Sequence, residues 1–171
     1  MSSNLEKLDL VPPDKVKGFF GSYYPPPELA SHFINNKLEE IYSVKRVHII
    51  VNPFAGKKNG SKIANLISQE LQELKIDSIT YTTEYANHAE KIVSDISFET
   101  GDSLMSVGGD GTISEIITGL LKRKDSSSDS VPLSIVPSGS GNSQANDMEV
   151  ADYLDAMQRM TVGNLRKMDV G

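Results

Sequence analysis

The feature that most constrains the fold is an alternation of short apolar runs with helical stripes, which begins at Lys45. The runs are strand-length and contain many β-branched residues: RVHIIVN (46–52), DSITYTT (77–83), SLMSV (103–107) and PLSIVP (132–137). Such alternation is typical of right-handed crossovers and a parallel sheet covered on both faces. We therefore predict a three-layer α/β fold, with a mostly parallel sheet flanked by helices, of the Rossmann-like type.

Apolar stripes at helical spacing predict the helices. They are Ile63, Leu66, Ile67, Leu71 and Leu74 in segment 59–74; Ala89, Ile92, Val93 and Ile96 in segment 87–96; Ile113, Ile116, Ile117, Leu120 and Leu121; and Val150, Tyr153, Leu154 and Met157 in a last helix. Asn87, with Glu90 three residues later, resembles a capping box. This spacing predicts that Asn87 caps the second helix with its own side chain.

Composition excludes several classes of function. The net charge of -6 argues against a nucleic-acid partner, because binding to the phosphate backbone relies on a basic surface. There are no cysteines and the three histidines lack metal-ligand spacing, so no protein metal site is predicted. No apolar run is long enough to span a bilayer and the N-terminus lacks the apolar core of a signal peptide, so we expect a cytoplasmic location.

The first 44 residues differ from the rest, because they hold five of the eight prolines and no sustained periodicity. We predict an N-terminal arm over 1–44, with a helix from about residue 28 to residue 42, and a separate domain over 45–171. The expected role of the arm is to pack on the domain or to stay loose. Its aromatic residues leave contact with a partner or a membrane surface as the alternative.

Small and polar residues follow every predicted strand. The four runs are NPFAGKKNG (52–60), TTEYANHA (82–89), GGDGT (108–112) and PSGSGN (137–142). In a parallel sheet they share the edge where ligands bind, and glycines let a phosphate approach backbone N–H groups. The signatures GxxxxGK[ST], GxGxxG after the first strand and GxSxG are absent. The sequence thus predicts a phosphate-binding edge outside those known classes.

Taken together, in this order, the four runs resemble the diacylglycerol-kinase catalytic domain of lipid kinases. Within that family they are most similar to sphingosine (long-chain base) and ceramide kinases, through the T-E-x-x-N-H-A run at 83–89 and Glu115, five residues after Asp110. The resemblance covers about 46–171. NAD kinases share GGDGT but carry an Asn-Glu motif where this chain has Gly139 to Asn142, which makes them the weaker relatives.

The resemblance implies transfer of a phosphoryl group from ATP, with Mg²⁺, to the hydroxyl of a lipid, with a sphingoid long-chain base as the favoured acceptor. Asp110 matches the carboxylate assigned as proton acceptor. Positions matching nucleotide contacts or passing close to the phosphates are Asn52, Pro53, Phe54, Thr83, Glu84, Tyr85, Ala86, Asn87, Gly108, Gly109, Gly111, Thr112, Glu115, Gly139, Ser140 and Gly141. Tyr85 is a departure, because sphingosine kinases usually have a basic residue there.

Several alternatives stay open at this point. A diacylglycerol or ceramide kinase, a relative of NAD kinase, and a non-catalytic regulator that binds nucleotide or a partner would share these motifs. Family members continue into a second, β-rich lobe that this sequence lacks, so we expect an isolated nucleotide-binding lobe that is incomplete by itself. A lipid substrate would require peripheral contact with a membrane, for which the N-terminal arm is the candidate; oligomeric state is left open.

Overall fold

A computed structural model of the chain describes residues 42–56, 58–125, 130–162 and 165. Its elements are β1 (Arg46–Val51), α1 (Gly60–Glu73), β2 (Asp77–Thr82), α2 (His88–Asp95), β3 (Asp102–Gly108), α3 (Asp110–Leu121), β4 (Leu133–Pro137), α4 (Ser143–Asp147) and α5 (Tyr153–Val162). All four predicted strands and the four helices predicted after residue 45 are present, whereas the short α4 was not predicted. The arm, with its helix from 28 to 42, falls almost entirely outside the described residues and stays a prediction.

The four strands form one parallel sheet in the order β2-β1-β3-β4. The register places Val51 opposite both Thr82 and Val107, and Gly108 opposite Pro137. All four carboxyl ends therefore meet at one edge. The chain leaves β1 towards β2 and then returns to the other side of β1 with β3. This reversal opens a crevice at the carboxyl ends, where doubly wound sheets bind their ligands.

Alternate side chains of β1 point to opposite faces of the sheet, as the pleat requires. Val47, Ile49 and Val51 join the cluster under α1 and α5, whereas Ile50 joins the cluster under α2 and α3. The helices bury matching stripes, namely Ala64, Ile67 and Leu71 of α1, Ala156, Met157 and Met160 of α5, Ala89 and Val93 of α2, and Ile116 and Leu120 of α3. The predicted three-layer α/β architecture is confirmed.

Some residues of the predicted stripes lie outside the core. Leu74 and Leu121, at or just beyond the last turns of α1 and α3, are 54% and 60% exposed. Leu154, in the first turn of α5, is 48% exposed, while Met160 one turn beyond the predicted stripe is buried. Periodicity locates the apolar face of a helix, but the neighbouring elements decide how far along the helix that face is covered.

Helices α2 and α3 pack closely at Gly119. A Cβ atom at this position would lie 2.7 Å from the backbone oxygen of Glu90 and 2.9 Å from Cβ of Val93. Glycine is therefore required by the distance between the two helices. This close packing matters for the site because both helices begin at the carboxyl edge of the sheet.

A buried polar cluster lies on the α2 and α3 side of the sheet, below the carboxyl edge. The Nε2 atom of His48 lies 3.1 Å from a carboxylate oxygen of Asp102, and its Nδ1 atom lies 3.2 Å from the hydroxyl of Tyr81. Both ring nitrogens thus have partners within the protein. In the described ranges, no helix has the length and apolar content that crossing a bilayer requires.

Candidate active site

A cavity of about 340 Å³ opens at the carboxyl edge, between the loops that follow β1 and β2 and the first turns of α3. Its lining residues are Asn52, Phe54, Thr83, Glu84, Tyr85, Ala86, Gly111, Thr112 and Glu115. Every one of them was singled out from the sequence. The fold therefore brings three separate motifs to one concave surface.

A second cavity, of about 430 Å³, borders the His48 cluster and contains no predicted site residue. Three of its polar side chains already have partners, since His48 contacts Asp102 and Tyr81, and a guanidinium nitrogen of Arg46 lies 3.4 Å from a carboxylate oxygen of Glu99. It also lies away from the carboxyl ends of the strands, since Arg46 is the first residue of β1. We therefore place the candidate site in the cavity at the carboxyl edge.

Asn52 connects the loop after β1 to helix α3. Its side-chain oxygen accepts the N–H of Phe54 at 2.9 Å, and its amide nitrogen lies 3.5 Å from the hydroxyl oxygen of Thr112. Pro53 is half-buried in the same turn. The asparagine thus fixes the path of the loop, and this path leaves the ring of Phe54 69% exposed at the cavity.

Asp110 is the first residue of α3 and lies directly after the tip of β3. One carboxylate oxygen accepts the N–H of Ser143 at 3.0 Å, and the other accepts the N–H of Gln144 at 3.1 Å. These are free donors at the start of α4, so Asp110 caps a helix from a different part of the chain. Hydrogen bonds from the backbone N–H of Gln144, which has the larger effect, and of Ser143 stabilise the charged carboxylate and hold the pKa of Asp110 below its usual range. The side chain is therefore an anion at neutral pH.

Glycines allow the tips of β3 and β4 to touch backbone to backbone. A Cβ atom on Gly139 would lie 2.5 Å from Cα of Gly109, which is too close for any side chain. The loop after β4 closes on itself, because Asn142 accepts the N–H of Gly139 at 2.7 Å and donates to its carbonyl at 2.9 Å. Gly141 lies beside Asp110, since a Cβ there would be 3.4 Å from its carboxylate. Gly108 and the exposed Ser140 belong to the same two tips.

Glu115 lies in the second turn of α3 and caps α2. Its two carboxylate oxygens accept the N–H of Asn87 at 2.9 Å and the N–H of Ala89 at 3.1 Å. The predicted capping box is wrong. Asn87 adopts a left-handed conformation with φ of 64° and its side chain makes no capping hydrogen bond, while Glu90 pairs with Lys122. A carboxylate on the adjacent helix satisfies these donors instead.

An aromatic stack stands on the loop after β2. The ring of Tyr85 lies 4.3 Å from the ring of His88, with only 10° between their planes. His88 in turn accepts the N–H of Glu84 on Nδ1 at 3.1 Å. Thr83, which is buried, donates its N–H to the carbonyl of Val51 and so anchors the start of this loop to β1. The loop is therefore held at both ends.

Sequence reasoning missed three residues of the site, namely Asn142, Ser143 and Gln144. Asn142 is the last residue of the PSGSGN run. It adopts a left-handed conformation with φ of 56°, which asparagine does more often than most residues. Ser143 and Gln144 belong to a helix of only five residues, which is too short to show a period. Across the described ranges, no three His, Asp or Glu side chains are placed to hold a metal ion.

Comparison with known proteins shows the family to which the chain is similar. The model of the diacylglycerol kinase catalytic domain matches residues 46–171. The chain is 29% identical over 143 residues to sphingosine kinase B of Dictyostelium discoideum, covering 83% of this chain and 19% of that protein. It is 34% identical over 109 residues to ceramide kinase of Arabidopsis thaliana, covering 62% of this chain and 17% of that protein.

Among solved structures, a diacylglycerol kinase from Bacillus anthracis str. Sterne is similar to this chain with a TM-score of 0.56 and 26% identity. The similarity covers 68% of this chain and 42% of that one. The chain therefore spans less than half the length of each of these three proteins.

Proposed function

The chain belongs to the diacylglycerol kinase catalytic domain family, and on that premise we propose that it is the nucleotide-binding lobe of an ATP-dependent lipid kinase. The γ-phosphoryl group of ATP would be transferred to the hydroxyl of a sphingoid long-chain base. The observation that carries this proposal is the shared edge, where the cavity, the touching glycine tips and the anionic Asp110 lie side by side.

The parts of the edge suit different parts of the substrate. The cavity has the concavity that a nucleoside needs, whereas the tips at Gly109 and Gly139 have no side chains to keep a triphosphate from the backbone. Phosphoryl transfer asks a protein chiefly for positioning and for charge stabilisation. We assign the positioning of ATP to the cavity and the glycine tips together.

Asp110 is our candidate for the residue that handles the acceptor hydroxyl. Each of its oxygens accepts one N–H and keeps acceptor capacity for a second hydrogen bond. A lipid hydroxyl donating to Asp110 would point a lone pair at the γ-phosphorus. As the new O–P bond forms, the bond from phosphorus to the β,γ-bridging oxygen breaks, and the proton passes to the carboxylate. Because the pKa of Asp110 is lowered, the carboxylate is a weaker base than usual, and in this proposal it acts mainly by orienting the hydroxyl.

Magnesium would fit this arrangement as a companion of the nucleotide. Mg²⁺ in kinases is usually held by one or two carboxylates together with substrate phosphates and water, and it neutralises charge on the phosphates. Asp110 supplies one carboxylate at the phosphate end of the edge. Oxygens of ATP and water would be further ligands of the ion.

The choice of lipid acceptor rests on a different observation, namely the T-E-x-x-N-H-A run at 83–89, which resembles sphingosine and ceramide kinases. A relative named as a sphingosine kinase and one named as a ceramide kinase both align with this chain. We favour a sphingoid base as the acceptor on the ground of this resemblance.

The test is transfer of labelled phosphate from Mg·ATP by the complete gene product to sphinganine, ceramide, diacylglycerol and NAD in parallel. We expect labelling of sphinganine, and loss of that labelling in Asp110→Asn. Labelling of diacylglycerol or NAD instead would reject the sphingoid-base assignment. ATP binding without labelling of any acceptor would reject the kinase proposal in favour of a nucleotide-binding regulator.

A further inference from the structure

The cavity of about 430 Å³ that borders the His48 cluster lies towards the other end of β1 from the candidate active site. Its walls come from the first half of β1, from β2, and from the end of α2, which stops at Asp95. Its volume is in the range of about 300 to 1,000 Å³ that is typical of pockets for small molecules. The residues of these walls determine which class of small molecule the cavity suits.

One side of this cavity is an isoleucine wall, formed by Ile79 of β2, Ile92 of α2 and Ile96 directly after α2. Ile96 is buried and Ile92 is partly buried, whereas Ile79 is 42% exposed. An exposed branched side chain beside two others at a concave surface favours a ligand with an apolar segment, because contact removes apolar surface from water. The isoleucine wall therefore suits an alkyl chain.

The charge around the cavity is negative. The guanidinium of Arg46 is shared between two carboxylates, since one of its nitrogens lies 3.4 Å from an oxygen of Glu99 and 3.7 Å from an oxygen of Asp102. Asp95 also lines the cavity, and across the described ranges its carboxylate forms no ion pair. Three carboxylates and one guanidinium together attract a cation and repel an anion. Among these groups, Asp95 keeps an uncompensated charge.

The hydroxyl of Tyr81 presents an acceptor to the cavity. Oδ2 of Asp102 accepts the N–H of Glu99 at 2.9 Å and lies 3.1 Å from Nε2 of His48. A carboxylate has no proton to donate, so Nε2 of His48 carries the proton and Nδ1 of the neutral ring is an acceptor. Tyr81, whose oxygen lies 3.2 Å from Nδ1, therefore donates its hydroxyl proton to His48. Burial and then the charge of Asp102 raise the pKa of Tyr81, so the proton is retained and the oxygen keeps a lone pair for a donor in the cavity.

We propose that this cavity binds a small primary alkylammonium, whose charged group pairs with Asp95 and whose chain lies on the isoleucine wall. An ammonium group donates three hydrogen bonds and accepts none, which matches a surface of acceptors such as Asp95 and Tyr81. A carboxylate or phosphate ligand would meet like charge there, and an uncharged chain would leave Asp95 without a partner. The inference does not rest on the proposed function, because ATP is assigned to the carboxyl edge of the sheet.

The experiment is a titration of the 171-residue chain with n-hexylammonium, followed by two-dimensional ¹H–¹⁵N NMR. We expect saturable shifts of the amide signals of cavity residues such as Tyr81 and Ser97, and no comparable shifts with hexanoate. From propylammonium to hexylammonium, each added methylene should tighten binding by up to about 4-fold, because it is buried against the isoleucine wall. 1-Hexanol, which has the same chain without the charge, should bind more weakly than hexylammonium.

Asp95→Asn removes the uncompensated charge and should weaken hexylammonium by about 2- to 5-fold, the usual contribution of an exposed ion pair. Binding of 1-hexanol should not change. Glu73→Gln is the matched control, because Glu73 is the exposed last residue of α1, as Asp95 is of α2, and does not line the cavity. This variant should bind both ligands as the unaltered chain does. Ile79→Ala should weaken hexylammonium and 1-hexanol by similar factors, since both use the isoleucine wall.

Unchanged hexylammonium affinity in Asp95→Asn, or equal binding of hexanoate and hexylammonium, would overturn the proposal. So would the absence of saturable shifts at millimolar concentrations, or shifts confined to residues of the carboxyl edge such as Thr83 and Gly109. Mg·ATP should leave the affinity for hexylammonium unchanged, and direct competition between them would place the amine at the carboxyl edge and overturn the proposal. Failure in these titrations leaves the proposed function standing, because the transfer of labelled phosphate tests that function separately.

Discussion

Replacing Glu115 with alanine removes the acceptor of two hydrogen bonds at the start of α2, from the N–H groups of Asn87 and Ala89. Loss of a capping acceptor typically lowers the free energy of unfolding by about 0.5 to 2 kcal/mol, and hydrogen bonds to a carboxylate lie at the upper end of this range. We therefore expect the free energy of unfolding to fall by about 2 kcal/mol. For a chain of this size, that lowers the midpoint of thermal unfolding by about 4 to 8 °C. Glu115→Gln, which keeps one carbonyl oxygen, should fall between alanine and the unaltered chain.

Urea and thermal unfolding, followed by far-UV circular dichroism, measure this difference. The matched control is Glu90→Ala, because Glu90 is the residue that the sequence pattern proposes as the capping partner. In the structure it forms an ion pair with Lys122, whose side chain is 61% exposed, and such pairs contribute about 0 to 1 kcal/mol. Equal or greater destabilisation by Glu90→Ala would refute the assignment of the cap to Glu115.

Three further predictions concern Asp110 and the glycines. The N–H groups of Gln144 and Ser143 lower the pKa of Asp110. Its contribution to stability and its anionic role should therefore be complete above the usual aspartate pKa range and be lost only as pH falls through the lowered pKa. A profile of kcat/KM against pH for the complete protein, with an acid limb at or above the usual aspartate range, would contradict this. Gly119→Ala should destabilise the chain by about 1 to 3 kcal/mol in urea titrations, because the new Cβ would meet α2. The matched Gly111→Ala, which meets nothing within 4 Å, should instead stabilise it by up to about 1 kcal/mol; the same sign for both would disprove the packing argument. Gly139→Ala should abolish ATP binding in calorimetry, because a Cβ 2.5 Å from Cα of Gly109 forces the two tips apart; binding within a few-fold of the unaltered chain would show that the tips can separate without loss.

The elements of the fold follow from local patterns. A run of β-branched apolar residues predicts a strand such as β1, and an apolar stripe with a period of 3.6 residues predicts a helix such as α1. The α4 helix does not, since it has five residues and depends on Asp110 for its cap. A helix of this length forms only when another part of the chain supplies its partners.

The position of the candidate site was also predictable, because glycine-containing loops after parallel strands must share one edge. The sequence did not predict which side chains and backbone groups contact each other at that edge. The pairing of Glu115 with the start of α2, and of Asp110 with the start of α4, joins residues 26 to 34 positions apart in the chain. Sequence spacing instead predicted Glu90 as the capping partner of Asn87, because a capping motif relates only residues that are close together in the same helix.

The sequence by itself determined the types of the main elements, their order along the chain, and the chemistry collected at the strand ends, because these depend on propensity and periodicity within a few residues. The tertiary structure decided the strand order β2-β1-β3-β4, the capping of α2 and α4 by carboxylates of α3, and the meeting of Phe54 and Tyr85 at one cavity. Those features depend on contacts between distant segments, whose free energy is realised only when the sheet has brought the segments together.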